Sequence, residues 1–116
     1  MSDALDVAKL YFEASNRSDM DAIASMMSRS TTYSSANTGV YLGVDQIVSM
    51  QTAYHRSFKK LHWDVLDVKE VRSGVVLFDF VFHGEKLTGE SVSLAGDEYV
   101  IVLDGKIQHV DIRNKN

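Results

Sequence analysis

Placing residues 3 to 17 at about 100° per residue gathers Ala4, Leu5, Val7, Ala8, Leu10, Tyr11, Phe12, Ala14 and Ser15 on one broad arc, with Asp6, Lys9, Glu13, Asn16 and Arg17 on the other. This predicts an amphipathic helix with Tyr11 near the middle of its inward arc, where a phenol hydroxyl needs a partner. Ser18 followed three residues later by Asp21 resembles a capping box, which would open a short second helix carrying Met20, Ile23, Ala24 and Met27 inward. Thr31 to Ser35 reads as a short strand. A loop through Asn37, Gly39 and Gly43 then leads to a third helix, from about Val44 to Phe58, with Ile47, Met50, Tyr54, Phe58 and Leu61 sharing one side.

From His62 onward the apolar period drops to that of strands: His62 to Arg72, Val75 to Phe82, Ser91 to Leu103 and Lys106 to Arg113. A Ser73-Gly74 turn joins the first two of these strands, and an Asp104-Gly105 turn joins the last two. Asp-Gly between two alternating apolar runs is a strong hairpin signal, because both central residues of a type I′ turn need positive φ. Helices first and strands afterwards predict an α+β domain, its helices gathered on one face of an antiparallel sheet. Alternation separates Val76, Phe78, Phe80 and Phe82, an aromatic wall, from Val75, Leu77, Asp79 and Val81. That second face is also largely apolar, which points to a cover and hence to a homodimer through the outer sheet face. Gly96, inside a strand-like run, is expected at a bulge that bends the sheet.

The chain has 116 residues, 45% apolar and 24% charged, the size and composition of one globular domain spanning 1–116. With 0 Cys, disulfides, thiolate nucleophiles and thiolate zinc sites are all excluded, and a reducing, cytoplasmic setting is expected. A net charge of −4 and no basic run longer than Lys59-Lys60 argue against a nucleic-acid partner. Val75 to Phe82, interrupted by Asp79, falls far short of the ~20 residues that a membrane span needs. Residues Met1 to Asp6 lack the basic and apolar regions of a secretion signal. His55, His62, His83 and His109 are scattered without metal-ligand spacing, and no phosphate or dinucleotide loop occurs, so neither a metal nor a cofactor is expected. His109 and Asp111 share a strand face, but without a nucleophile nearby they read as surface or dimer contacts.

Three segments in order, Asp19-Met20-Asp21-Ala22-Ile23, Gly43-Val44-Asp45-Gln46-Ile47 and Asp104-Gly105-Lys106-Ile107, resemble the nuclear-transport-factor-2-like superfamily, which includes SnoaL-like cyclases and ketosteroid isomerases. The resemblance implies a cystatin-like, cone-shaped α+β barrel: three N-terminal helices packed on a strongly curved, mainly antiparallel sheet around an apolar cavity, usually in a dimer. In the isomerase branch a first-helix tyrosine donates to the developing oxyanion, and counting from the Asp19 segment puts Tyr11 there. By the same counting the general base falls on Ser35 and the second oxyanion acid near Tyr99. Proton abstraction beside a carbonyl needs a base whose pKa lies near working pH, which an unassisted serine hydroxyl is not. Steroid isomerisation by that mechanism is therefore disfavoured.

Asp97 is the remaining carboxylate that shares strand parity with Tyr99, which makes Tyr11, Tyr99 and Asp97 the candidate catalytic set, although both Asp97 and Glu98 also suit a solvated bend. The expected cavity lining is Tyr33, Ser35, Met50, Tyr54, Trp63, Phe78, Phe80, Ile101, Val110 and Ile112, apolar walls with sparse hydroxyls suited to a hydrophobic small molecule. Two readings follow. In one, the domain binds a hydrophobic carbonyl compound in a roomy tyrosine-lined cavity, as a binder or as a cyclase, isomerase or hydratase in which Tyr11 polarises the carbonyl. In the other, it is a non-catalytic dimerisation or partner-binding module, or an assembly subunit of a larger enzyme, whose interior is filled by its own side chains.

Overall fold

In the computed structural model, which describes residues 3–115, α1 (Asp3–Asn16) buries Ala4, Ala8, Tyr11, Phe12, Ala14 and Ser15. The small alanines let the helix lie close to the sheet, and Phe12 stacks on Phe78 with ring centroids 3.9 Å apart. The helix ends in a Schellman motif: Ser18, at φ 55°, donates from its amide to Ser15 O, and Asp19 donates to Ala14 O. That left-handed backbone removes Ser18 from capping, and its hydroxyl bonds His55 Nδ1 at 2.8 Å instead. The cap of α2 (Met20–Ser25) is therefore Asp19, one residue beyond the expected Ser18, its carboxylate accepting from Ala22 N at 3.1 Å.

A short hairpin of β1 (Thr32–Ser35) and β2 (Gly39–Leu42) precedes α3 (Val44–Arg56). The strands that follow are β3 (Phe58–Arg72), β4 (Val75–Lys86), β5 (Ser91–Leu103) and β6 (Lys106–Asn114). β3 thus begins four residues before the expected His62. The β5–β6 turn has the anticipated positive φ at both Asp104 (53°) and Gly105 (76°). The six strands form one sheet in the order β2-β1-β6-β5-β4-β3, parallel between β1 and β6 and antiparallel elsewhere.

This sheet corrects the expected barrel. Its edges, β2 and β3, do not pair with each other, so it is an open mixed sheet and is neither closed into a cone nor strongly curved. The reason is in the connection: from β2 the chain enters α3, which packs against both β2 and β3. A helix occupies the place where closure would need a hydrogen-bonded strand pair. On the β3 edge, Asn16 acts as a partial neighbouring strand, accepting from Trp63 N at 2.7 Å and donating to Trp63 O at 3.1 Å.

The expected bulge at Gly96 is also absent, since the β4–β5 register runs without a break through Phe80 opposite Gly96. Gly96 instead provides room: a Cβ there would lie 2.8 Å from Phe80 Cζ and 2.7 Å from Arg113 O. The irregularity lies on the β6 side, where Ile101 faces His109 but Val102 faces Ile107. The extra residue, Gln108, allows both Ile107 and Val110 to be buried. The β4 wall forms as expected, with Val76, Phe78, Phe80 and Phe82 all buried under the helices. No helix among the described residues is long and apolar enough to cross a membrane.

Candidate functional site

Between α1, α3 and the inner face of the sheet lies a cavity of about 50 Å³. Its aromatic wall is continuous. Trp63 and Tyr54 pack on Phe82 with centroids 4.8 and 5.8 Å away, and His55 lies 5.3 Å from Trp63. Distant parts of the chain supply its polar groups, among them Tyr11 from α1, Tyr33 from β1, Gln51 from α3 and Glu98 from β5. Gln51 sits four residues after Ile47 on α3, so helical spacing turns both inward. Its Nε2 donates to the Tyr11 hydroxyl at 2.8 Å.

The Tyr11 proton is therefore not needed to satisfy Gln51. Burial pushes the Tyr11 phenol well above its ordinary range; nearby Tyr33 and Glu98 raise it further, against the opposing pull of hydrogen bonds to Gln51 and Ser15. Tyr33 is raised chiefly by burial and then by Glu98. Glu98 is only 3% exposed, and desolvation pushes its carboxyl up to about 8. Near neutral pH it is an uncharged acid, able to donate a hydrogen bond. Two further buried atoms facing this region, Gln51 Oε1 and Thr38 Oγ1, have no protein partner among the described residues.

The structure gathers Tyr11, Tyr33, Ser35, Met50, Tyr54, Trp63, Phe80 and Ile112 around the cavity. Phe78 and Val110 are buried beside it without lining it. Asp97, Tyr99 and Ile101 alternate with the buried Gly96, Glu98, Val100 and Val102, and so project from the opposite face of β5. Asp97 pairs there with Lys115 at 3.4 Å, and Lys115 also holds Asp79. The structure therefore does not bring Asp97 and Tyr99 to this cavity; Glu98, the residue between them, lines it instead. Ser35 Oγ accepts from Asn37 N at 3.1 Å in a local turn.

Sequence reasoning also missed Gln51, His55 and Leu94. Strand parity with Val100 and Val102 was the signal for Glu98, but Tyr99 shares parity with the equally apolar Ile101 and Leu103, so alternation alone did not choose a face. The remaining histidines are dispersed. His109 bonds Thr32 at 2.7 Å, and His62 faces His83 across β3 and β4. No group of three or more His, Asp or Glu among the described residues is placed to hold a metal ion.

Comparison with known proteins follows the same geometry. The family model for the SnoaL-like domain matches residues 8–110. The chain belongs to the SnoaL-like family. Among curated protein sequences, none matches it. A nuclear-transport-factor-2-like protein of unknown function from Burkholderia pseudomallei superposes with a TM-score of 0.87 at 11% identity, covering 99% of this chain and 92% of the other. A protein from Catenulispora acidiphila with a ketosteroid-isomerase-like fold, in complex with trimethylamine, gives 0.83 at 12% identity over 92% and 83%. A candidate polyketide cyclase from Xanthomonas campestris gives 0.80 at 21% identity over 95% and 88%. At such identities these likenesses establish the SnoaL-like fold alone.

Proposed function

We propose that this SnoaL-like domain binds a compact hydrophobic carbonyl compound, whose oxygen receives hydrogen bonds from the Tyr11 hydroxyl and the uncharged Glu98 acid. The observation that carries the reading is the Tyr11–Gln51 bond. With Gln51 as donor, the phenol keeps its own proton for a second acceptor, and Glu98, electrostatically coupled to Tyr11, lines the same cavity. Two donors to one oxygen stabilise negative charge developing on it, and the presence of both groups around one cavity supports a cyclase, isomerase or hydratase role in which Tyr11 polarises the carbonyl. The Ser35 hydroxyl, turned to its own loop, supplies no base.

The volume bounds the ligand. About 50 Å³ holds roughly four water-sized groups, far too few for a fused polycycle and fewer than the heavy atoms of a six-membered ring ketone, so even a single ring enters only as the lining side chains give way. The same small volume favours a second reading, a partner-binding module whose interior is largely filled by its own side chains. A homodimer through the outer face of β4 and β5 belongs to either reading, supported by the half-buried Val75, Leu77, Val81 and Ile101, as does a cytoplasmic setting.

Titration with cyclohexanone, followed through Trp63 emission and calorimetry, separates the readings. The carbonyl reading expects saturable binding that weakens about tenfold in Tyr11→Phe, a variant that stays folded but loses about 1–3 kcal/mol of stability because Gln51 Nε2 is left without its acceptor. Absence of binding, or equal affinity in the two proteins, rejects it.

A further inference from the structure

We infer that the ligand of this cavity carries a hydrogen-bond donor of its own and that Gln51 selects it, making the ligand class a compact cyclic hydroxy-carbonyl compound rather than a plain ketone. The inference rests on the carbonyl-binding reading and adds a second point of recognition to it. Gln51 is 6% exposed, and its amide nitrogen is committed to Tyr11 at 2.8 Å. That bond holds the amide plane, so Oε1 is directed away from the phenol. Oε1 is buried and unpartnered, and Gln51 lines the cavity.

An amide oxygen accepts and never donates. A wholly apolar occupant would leave it unpaired, whereas a hydroxyl placed against it removes that cost. The Tyr33 hydroxyl, which also interacts with the Gln51 amide, makes no hydrogen bond to Oε1, and the other polar groups around the cavity do not supply one. His55 Nδ1 is engaged with Ser18, and Ser35 Oγ with Asn37 N. Thr38 Oγ1 also lacks a partner, but a hydroxyl rotor suits donors and acceptors alike and does not discriminate. Tyr11 and Glu98 present protons, while Gln51 Oε1 presents a lone pair. The cavity is therefore complementary to a molecule that accepts at one end and donates at the other.

The test compares cyclohexanone, 3- and 4-hydroxycyclohexanone and 4-methoxycyclohexanone by calorimetric titration of the whole chain. One hydroxy isomer should bind about tenfold more tightly than cyclohexanone, and the methoxy compound, which keeps the oxygen and loses the proton, should gain nothing. In Gln51→Met, close in shape but without polar atoms, the hydroxyl preference should fall below twofold. In Glu98→Met, which removes a carbonyl donor but leaves the Tyr11–Gln51 bond in place, affinity for every ketone should drop while the hydroxyl preference survives, separating the Gln51 contact from the carbonyl contact. Cyclohexanone binding with no hydroxyl preference, or a preference shared by the methoxy compound, overturns the Gln51 inference and leaves the carbonyl reading standing. No binding by any ketone overturns both. Because the ligand series is run on the parent protein, the inference can fail even if Gln51→Met does not fold.

Discussion

Replacing Glu98 by Gln removes one titrating group from the interior while keeping its shape and a hydrogen-bond donor. In the folded chain the carboxyl is pushed up to about 8 by desolvation, against an ordinary value of 4.5. Between those two values the folded state holds a proton that the unfolded state has released, so stability falls as pH rises through that window. Below about 4.5 both states are protonated and this contribution is complete; above about 8 both are ionised and the loss is complete. At about 1.4 kcal/mol per pH unit, the gap corresponds to a loss on the order of 5 kcal/mol across the window. That is a large share of the 5–15 kcal/mol typical of a domain.

Urea unfolding at pH 5, 6, 7 and 8, monitored by Trp63 emission and circular dichroism, measures it. His55, whose pKa is lowered by burial, contributes oppositely, losing stability as pH falls, but does so in both proteins and cancels from the difference. Glu98→Gln should match the parent near pH 5 and exceed it by several kcal/mol at pH 8. Parallel profiles in the two proteins, within about 0.5 kcal/mol, would falsify the claim that Glu98 is held neutral by its burial.

Other substitutions probe the frame around the site. Phe12→Ala removes the ring stacked on Phe78 and should cost about 3–5 kcal/mol in denaturant unfolding; a cost below 1 kcal/mol would mean that α1 is not anchored there. Asp19→Ala should lose roughly 1 kcal/mol, as expected for a helix cap, and a change near zero would transfer capping elsewhere. Gly96→Ala brings a methyl against Phe80 and Arg113 O, and should destabilise by about 1–3 kcal/mol. Pairing Gly96→Ala with Phe80→Leu should recover part of that loss, and strictly additive losses would show that the ring is not the obstacle.

Local chemistry made much of this protein legible in advance. The helical arc of α1 apart from Leu10, which is exposed, that of α3 as far as Tyr54, the Asp104-Gly105 turn and the inward row of Val76, Phe78, Phe80 and Phe82 follow from side-chain period and φ preference, which act over a few residues. Tyr11 and Tyr54 were likewise placed inward by spacing alone. Other outcomes needed the assembled chain. Whether β2 meets β3 or is kept from it by α3 depends on how a helix seats between two sheet edges, and no local pattern encodes that. Ser18 has a good capping side chain, but the Schellman turn and His55, 37 residues away, take it out of use. The choice between Glu98 and its neighbours Asp97 and Tyr99 turned on which of two apolar faces of β5 meets the helices. The Tyr11–Gln51 bond spans 40 residues. Sequence by itself determined which side chains point the same way within each element; tertiary structure alone decided which of those faces meet, because burial, desolvation and hydrogen-bond partnership depend on the distances between elements brought together by folding.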